Sequence, residues 1–398
     1  MLKRLYIDNF KSLIEFSFPP KSDIQHLSAF SCLVGLNGAG KSTMLQAFDF
    51  IAQLPVSNTR IDQWLEKRNW KARELTSKFS LKSIITFSVE LEYEGKTVVW
   101  SGTFNKDTLK CTSESVSVHN ETIFSVQQGK LFITKEGTKE STVVKDLMYQ
   151  GSILSIRSFD LKKYPAIAAI KQFSEGMKSL ELLNPQLIRT RAREAHDVGV
   201  GGEKLAAFFH TLSPEIRSTI LRDLKIFYPN VTSLSSTSIR AGWKSLKVTE
   251  SFITAAQNTL ETETIHLNDG MLRILTMITE MHTSHTCILL DEIENGINPE
   301  LVERLMDYLV QSNKQVIVTT HSPMVLNYLK DEVAEKGVFL IYRTKQGHTQ
   351  CGRYFQSQRT RDKLTLLGPG EVFVDTSMEE VASDLELAAL RTNQTVFP

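Results

Sequence analysis

Three short stretches hold residues whose types and spacing can do chemistry. GLNGAGKST, from Gly35 to Thr43, fits G-x-x-x-x-G-K-S between an apolar strand and an amphipathic helix. Glycines let the backbone turn tightly enough for successive N–H groups to face phosphates, and the helix that follows adds its positive end. Lys41 is placed to reach the outer phosphates and Ser42 to offer an oxygen to magnesium, while Gly35, Asn37, Gly38, Ala39, Gly40 and Thr43 complete the cradle. A glycine turn that merely caps a helix explains neither Lys41 nor Ser42. The stretch predicts a bound nucleoside triphosphate with Mg2+.

The second stretch, CILLDEIENG, puts Asp291 at the end of an apolar strand, where its carboxylate emerges beside the cradle. Asp291 then holds magnesium directly or through water, and Glu292 polarises the water that attacks the terminal phosphate. The third, QVIVTTHSP, is another apolar strand ending in polar residues. Its His321 is positioned to sense or orient the terminal phosphate, with Thr320 or Ser322 to help place water.

These residues need a sheet whose strands end on one edge. Phe30 to Val34 delivers the chain into the cradle, and a helix is expected from Lys41 to Ala52. From Asp269 the rhythm is helix to His282, strand Cys287–Leu290, helix Pro299–Gln311, strand Gln315–Thr319, helix Met324–Leu329 and strand Val338–Tyr342. That alternation predicts a mostly parallel sheet covered on both faces. Between the two halves, Ser83 to Ile133 reads as antiparallel strands, and AIAAIKQFSEGMKSL beyond Pro165 reads as an amphipathic helix. Helices over Gly202–His210 and Pro214–Phe227 and a strand pair near Val231–Val248 follow.

Composition adds exclusions. Lys plus Arg number 46 against 45 Asp plus Glu, so any nucleic-acid contact must come from a local patch. RTRAREAH and SQRTRDK are the two basic clusters. Cys32, Cys111, Cys287 and Cys351 lack metal-ligand spacing, and Cys32 and Cys287 sit in apolar runs as buried thiols. No apolar run approaches the roughly 20 residues that span a bilayer, and the N-terminus lacks a signal-peptide pattern. A cytoplasmic location with no membrane partner is expected.

Taken in order, LKRLYIDNFKSL, GLNGAGKST, LNDGMLR with ILLDEIENGINP, and VTTHSP resemble the soluble ABC ATPases of the RecF, SMC and overcoming-lysogenization-defect group. The resemblance implies an α/β fold of ABC-type P-loop NTPase, with a mixed central sheet, an antiparallel β flank and a helical insertion. It implies an N-terminal part of the head over 1–160, a helical insertion or short arm over 161–250, the C-terminal part of the head over 251–345 and an extension over 346–398. Leu267 to Arg273 falls on the signature element that completes a second subunit's ATP site, with Asn268 and Gly270 facing that subunit's terminal phosphate. Asn268 stands where the family usually has Ser. Glu294 to Asn298 falls on the dimer-facing loop, and His321 on the switch histidine. The family's magnesium-approaching glutamine is assigned to Gln150, ahead of Gln127 and Gln128.

The same resemblance implies a homodimer or higher homo-oligomer that uses ATP as adhesive. It further implies an ATPase, splitting ATP to ADP and phosphate, that holds a separate effector protein, a nuclease, in anti-phage defence. The alternative is a RecF-like repair clamp that binds DNA through the basic clusters.

Overall fold

The computed structural model describes residues 1–57, 60–135, 138–143, 147–156, 158–181, 183–253 and 258–395. A six-stranded sheet runs in the order Met177–Leu180, Cys287–Leu290, Gln315–Thr319, Phe30–Val34, Val338–Arg343 and Thr349–Arg353. The first five strands are mutually parallel, and the last pairs antiparallel at the edge. Every residue of the first four is buried, as a sheet covered on both faces requires. Their side chains still alternate between two cores. Leu33, Leu289 and Ile317 join the helix Lys41–Gln53 on one side, and Cys32, Ile288, Leu290 and Val318 join the helix Asp269–Met281 on the other.

The first core is closed by an eight-stranded sheet running Phe16–Phe18, Leu2–Asp8, Ile84–Tyr93, Lys96–Asn105, Lys110–Val118, Glu121–Gln127, Lys130–Lys135 and Thr138–Val143. Three of its hairpins turn on residue pairs with positive φ at both positions, Glu94–Gly95, His119–Asn120 and Gln128–Gly129. That is the type I′ geometry whose twist matches paired strands. A third sheet, Val231–Ser238, Lys244–Ser251 and Thr259–Glu263, packs with helices Leu205–Thr211 and Pro214–Phe227 against the second core.

One local expectation is corrected. The helix begun at Pro165 ends at Gly176, and Met177–Leu180 leaves it as a strand paired in register with Cys287–Leu290. The Gly176 carbonyl accepts from the Thr286 N–H at 2.7 Å, which starts the ladder. Non-local strand pairing has overridden a helical pattern. The stretch expected as an insertion thus contributes an edge strand to the central sheet. All four cysteines are free and buried, and among the described residues no helix is long and apolar enough to cross a membrane.

Candidate nucleotide site

The cradle follows the Phe30–Val34 strand directly and opens the 13-residue helix Lys41–Gln53. Gly40 caps that helix at φ 115° without a side-chain cap, so the first N–H groups of the helix remain available to an anion. A Cβ on Gly40 would lie 2.4 Å from Thr349 Oγ1, so only glycine fits there. Lys41 is buried and folded back over its own loop, donating to the carbonyls of Gly35 at 2.8 Å and Leu36 at 3.3 Å. Burial lowers its ammonium from the ordinary value, and the carboxylates of Asp291, Glu292 and Glu294 oppose that shift.

Two residues beyond Tyr342 hold the loop from beneath. Thr349 Oγ1 donates to the Ala39 carbonyl at 2.8 Å and pairs with Ser12 Oγ at 2.8 Å, while Arg343 Nε donates to the Gly38 carbonyl at 2.7 Å. A threonine and an arginine on an edge hairpin carry no local signature in the sequence.

Asp291 and Glu292 leave the Cys287–Leu290 strand next to Thr319 at the end of its neighbour. Thr319 Oγ1 donates to Asp291 Oδ1 at 2.5 Å and accepts from the Glu292 N–H at 2.8 Å. Glu292 sits at φ 47°, a left-handed conformation costly for a residue with a Cβ and concentrated at functional sites. Its side chain is half-exposed, and Asn295 Nδ2 donates to Oε2 at 3.2 Å. His321 bridges the two halves: Nδ1 lies 3.5 Å from Lys41 Nζ, and Nε2 lies 4.0 Å from Glu292 Oε1. Glu294 Oε1 holds the His321 backbone N–H at 2.9 Å. Thr320 is spent on the local turn, where its Oγ1 accepts from the Ser322 N–H at 2.9 Å.

The expectation for Gln150 is corrected. Its Oε1 accepts from the Asp62 N–H at 3.0 Å, and the adjoining Ser152 N–H donates to the Leu54 carbonyl at 2.8 Å. Gln150 therefore sits at the far end of the cradle helix, about 18 Å of helical rise from Ser42. Gln127 and Gln128 lie at a hairpin turn of the antiparallel sheet.

The position beside Asp291 belongs instead to Glu181. Leu180 pairs in register with Leu290, so Glu181 and Asp291 emerge at one level from strands spaced about 4.8 Å apart. The Glu181 side chain is 2% exposed, and Arg68 Nη2 binds its Oε1 at 2.7 Å and Asp49 Oδ2 at 2.5 Å. Oε2 is buried with no hydrogen-bond partner. Burial pushes the carboxyl up and the Arg68 guanidinium pulls it back. Ser42, Asp291 and Glu181 are hard oxygen donors, the kind magnesium takes. Among the described residues no group of three or more His, Cys, Asp or Glu is arranged to hold a metal alone.

Beside Thr43 opens a cleft of about 770 Å³, lined by Lys11, Trp70, Arg73, Lys78, Phe79 and Arg343 among others. Lys11 Nζ stands 3.1 Å over the Trp70 ring and donates to Gln46 Oε1 at 2.8 Å. Burial brings Lys11 down to about 8. A cleft of cations and aromatics continuous with the cradle suits the nucleoside part of a nucleotide.

Asn268 caps the helix Asp269–Met281, its Oδ1 accepting from the Met271 N–H at 2.8 Å. Arg189 Nη2 clamps the same turn through the Leu267 carbonyl at 2.7 Å and Asp269 Oδ1 at 2.6 Å. Among the described residues, no hydrogen bond or ion pair joins Asn268 or Gly270 to Lys41, Asp291, Glu292 or His321. One chain thus gathers Lys41, Asp291, Glu292 and His321.

Two family models match in tandem, "AAA ATPase domain" over residues 1–189 and "AAA domain, putative AbiEii toxin, Type IV TA system" over residues 211–327. No curated protein matches the sequence significantly. Among solved structures, an SMC head bound to the C-winged helix domain of ScpA is 13% identical with a TM-score of 0.54, covering 88% of this chain and 96% of that one. The SMC head domain from Thermotoga maritima is 13% identical at a TM-score of 0.44, with 88% of this chain and 98% of that chain covered. An Smc head with an extended coiled coil, bound to the C-terminal domain of ScpA derived from Pyrococcus furiosus, is 11% identical at 0.48, with 92% and 99% covered. Only the first of the three scores high enough to bear on the fold. The chain has the head fold of SMC proteins, and residues 1–189 and 211–327 each match a model of an AAA ATPase family.

Proposed function

We propose that the chain is an ATP-hydrolysing switch in which two copies close over shared nucleotide sites. The observation that carries this reading is the single imidazole of His321 set 3.5 Å from the Lys41 ammonium and 4.0 Å from the Glu292 carboxylate. ATP phosphates would take over Lys41 from the Gly35 and Leu36 carbonyls it now caps. Glu292 accepts a proton from the water whose oxygen bonds to the γ-phosphorus. The bond from that phosphorus to the β–γ bridging oxygen breaks, leaving ADP and phosphate. His321 orients the terminal phosphate while Glu294 fixes its backbone. Ser42 and Asp291, with Glu181 beside them, would hold magnesium, which would supply charge neutralisation at the phosphates.

The exposure of the turn that holds Asn268 supports pairing. A helix N-terminus with exposed Asn268 and Asp269 presents N–H groups to an anion brought by another molecule. A second copy supplies that anion as its ATP, and hydrolysis loosens the bridge.

The switch holds or releases a separate effector, a nuclease, in anti-phage defence; the likeness of residues 211–327 to a toxin-associated AAA family supports this. The repair-clamp alternative draws less support. Of the basic clusters meant to grip DNA, Arg189, Arg191, Arg359 and Lys363 are already in ion pairs with carboxylates.

Glu292→Gln tests the reading. ATP-loaded assemblies of at least twice the chain mass should accumulate, and turnover should fall about 100-fold or more. Undiminished turnover would remove Glu292 from its role, and an unchanged mass would remove the pairing. Isolating the trapped form with its genomic neighbours identifies the effector.

A further inference from the structure

Arg273 is a buried cation without a partner. It lies on the first turns of the Asp269–Met281 helix and is 9% exposed. Among the described residues it makes no hydrogen bond or ion pair, and its Nε is buried unpaired. Burial pulls its guanidinium below the ordinary value, and the carboxylates near enough to oppose that are Glu292 first and Asp269 second. A buried Nε–H left without an acceptor is costly, so this arrangement suits a group that can still take an anion.

Its surroundings form a continuous run of contacts. The Gly270 Cα packs so closely on the Gly296 carbonyl that a Cβ there would come within 3.1 Å of the oxygen. On the other side of Gly296, a Cβ would lie 3.7 Å from Arg273 Nε. Asn295, the neighbour of Gly296, donates to Glu292 Oε2 at 3.2 Å. Glu294 in the same loop holds the His321 backbone. The N-terminal turn of this helix is thus joined, through one loop of the same chain, to the acid and the histidine of that chain's own cradle.

We propose that Arg273 is a positioning residue that couples the two nucleotide sites of an assembled pair. This rests on the reading of two copies closing over shared sites. Arg273 Nε lies against Gly296, in the loop whose Asn295 donates to Glu292. Phosphate arriving at the helix N-terminus from the second copy offers Arg273 a stronger anion, and the Gly296 loop and Glu292 reset together. Glu292 of one chain is thereby set for its own ATP only when the other chain has brought its own. The two sites then hydrolyse in step.

The test compares wild type, Arg273→Gln and Arg273→Lys over a range of ATP concentrations, with the mass of each ATP-loaded assembly read in parallel. Wild type should show a Hill coefficient near about 2, the limit for two coupled sites. Arg273→Gln should still bind ATP and assemble, but its Hill coefficient should drop to about 1. Arg273→Lys, which keeps the charge, should recover part of the steepness, a rescue that loss of packing alone would not give. If Arg273→Gln assembles on ATP and keeps the wild-type steepness, the coupling role is wrong while the shared-site reading survives. If wild type does not assemble on ATP, both fall together. Should Arg273→Gln fail to fold, the exposed change Asn295→Ala cuts the same run of contacts and must flatten the curve; unchanged steepness there overturns the proposal.

Discussion

The Thr319 hydroxyl donates to Asp291 Oδ1 at 2.5 Å and takes the Glu292 N–H at 2.8 Å, so one buried oxygen fixes both Asp291 and Glu292. Asp291 is aimed along the sheet edge by that bond, and Glu292 is held in its left-handed backbone by the same atom. Backbone strain of this kind persists when the surroundings over-determine it, and Thr319 is 0% exposed.

Thr319→Val keeps the shape and removes the hydroxyl, leaving the Glu292 N–H unsatisfied. The turnover number of ATP hydrolysis should fall about 10-fold, as about 1.4 kcal/mol of positioning is lost. The KM for ATP should change less than about 3-fold, because the cradle is untouched. Thr319→Ser should restore most of the loss. Steady-state kinetics that show equal turnover in all three proteins would contradict this role.

Glu181→Gln removes a carboxylate from beside Asp291 without changing its volume. The concentration of magnesium needed to half-saturate the ATP-loaded protein should rise about 10-fold, given the weight of anionic oxygen ligands for this ion. Titration with manganese, followed by its spin resonance, reads this without reference to turnover. A variant that melts at a lower temperature but binds the ion as before would show that Glu181 serves only the Arg68 and Asp49 network.

Much of this was legible because chemistry and periodicity coincide at the sheet edge. The cradle from Gly35 to Thr43, the Asp291 and Glu292 pair and His321 all sit at the ends of strands whose apolar runs can be read directly. Glu181 was hidden for the opposite reason. Its strand, Met177–Leu180, is four residues long and continues a helical pattern, and only pairing with Cys287–Leu290 makes it a strand. Gln150 is what the resemblance offers as the magnesium-approaching glutamine, yet the Leu54 carbonyl and the Asp62 N–H hold its loop at the other end of the cradle helix. Thr349 and Arg343 reach the cradle through an edge hairpin, a long-range contact that no local spacing announces.

Glu114 carries a pH signature unrelated to catalysis. It is buried under the antiparallel sheet, where Ser152 Oγ donates at 2.5 Å, the Ile153 N–H at 2.9 Å and Trp100 Nε1 at 3.4 Å. Burial pushes its carboxyl from 4.5 up to about 7, against those three hydrogen bonds. The unfolded chain ionises the group from about 4.5 upward while the fold keeps it protonated to about 7, so unfolding releases a proton in that window. Its contribution is complete below the lower value and is lost as pH rises through the upper one, a change of about 3 kcal/mol. Denaturant unfolding at pH 5 and pH 8 should show wild type losing more stability between them than Glu114→Gln. Equal losses would mean that Glu114 is ionised in the fold.

Thr349 tests whether the C-terminal hairpin belongs to the site or only adjoins it. Its hydroxyl donates to the Ala39 carbonyl and meets Ser12 Oγ, and its backbone N–H donates to the Ser12 carbonyl at 2.8 Å. The strand that bears it therefore pins the cradle to the loop after Leu2–Asp8, the segment that also contributes Lys11 to the nucleoside cleft. Thr349→Val preserves the backbone bond and the volume but frees the Ala39 carbonyl. A net loss of about 1 kcal/mol for one such bond predicts ATP binding weaker by about 5-fold. Because Gly40 packs directly on the Thr349 side chain, the loop should also lose order. Hydrogen exchange at the amides of Gly38 to Lys41 should speed up, while exchange in the Cys287–Leu290 strand stays unchanged. Affinity and exchange both equal to wild type would reduce the hairpin to a structural edge.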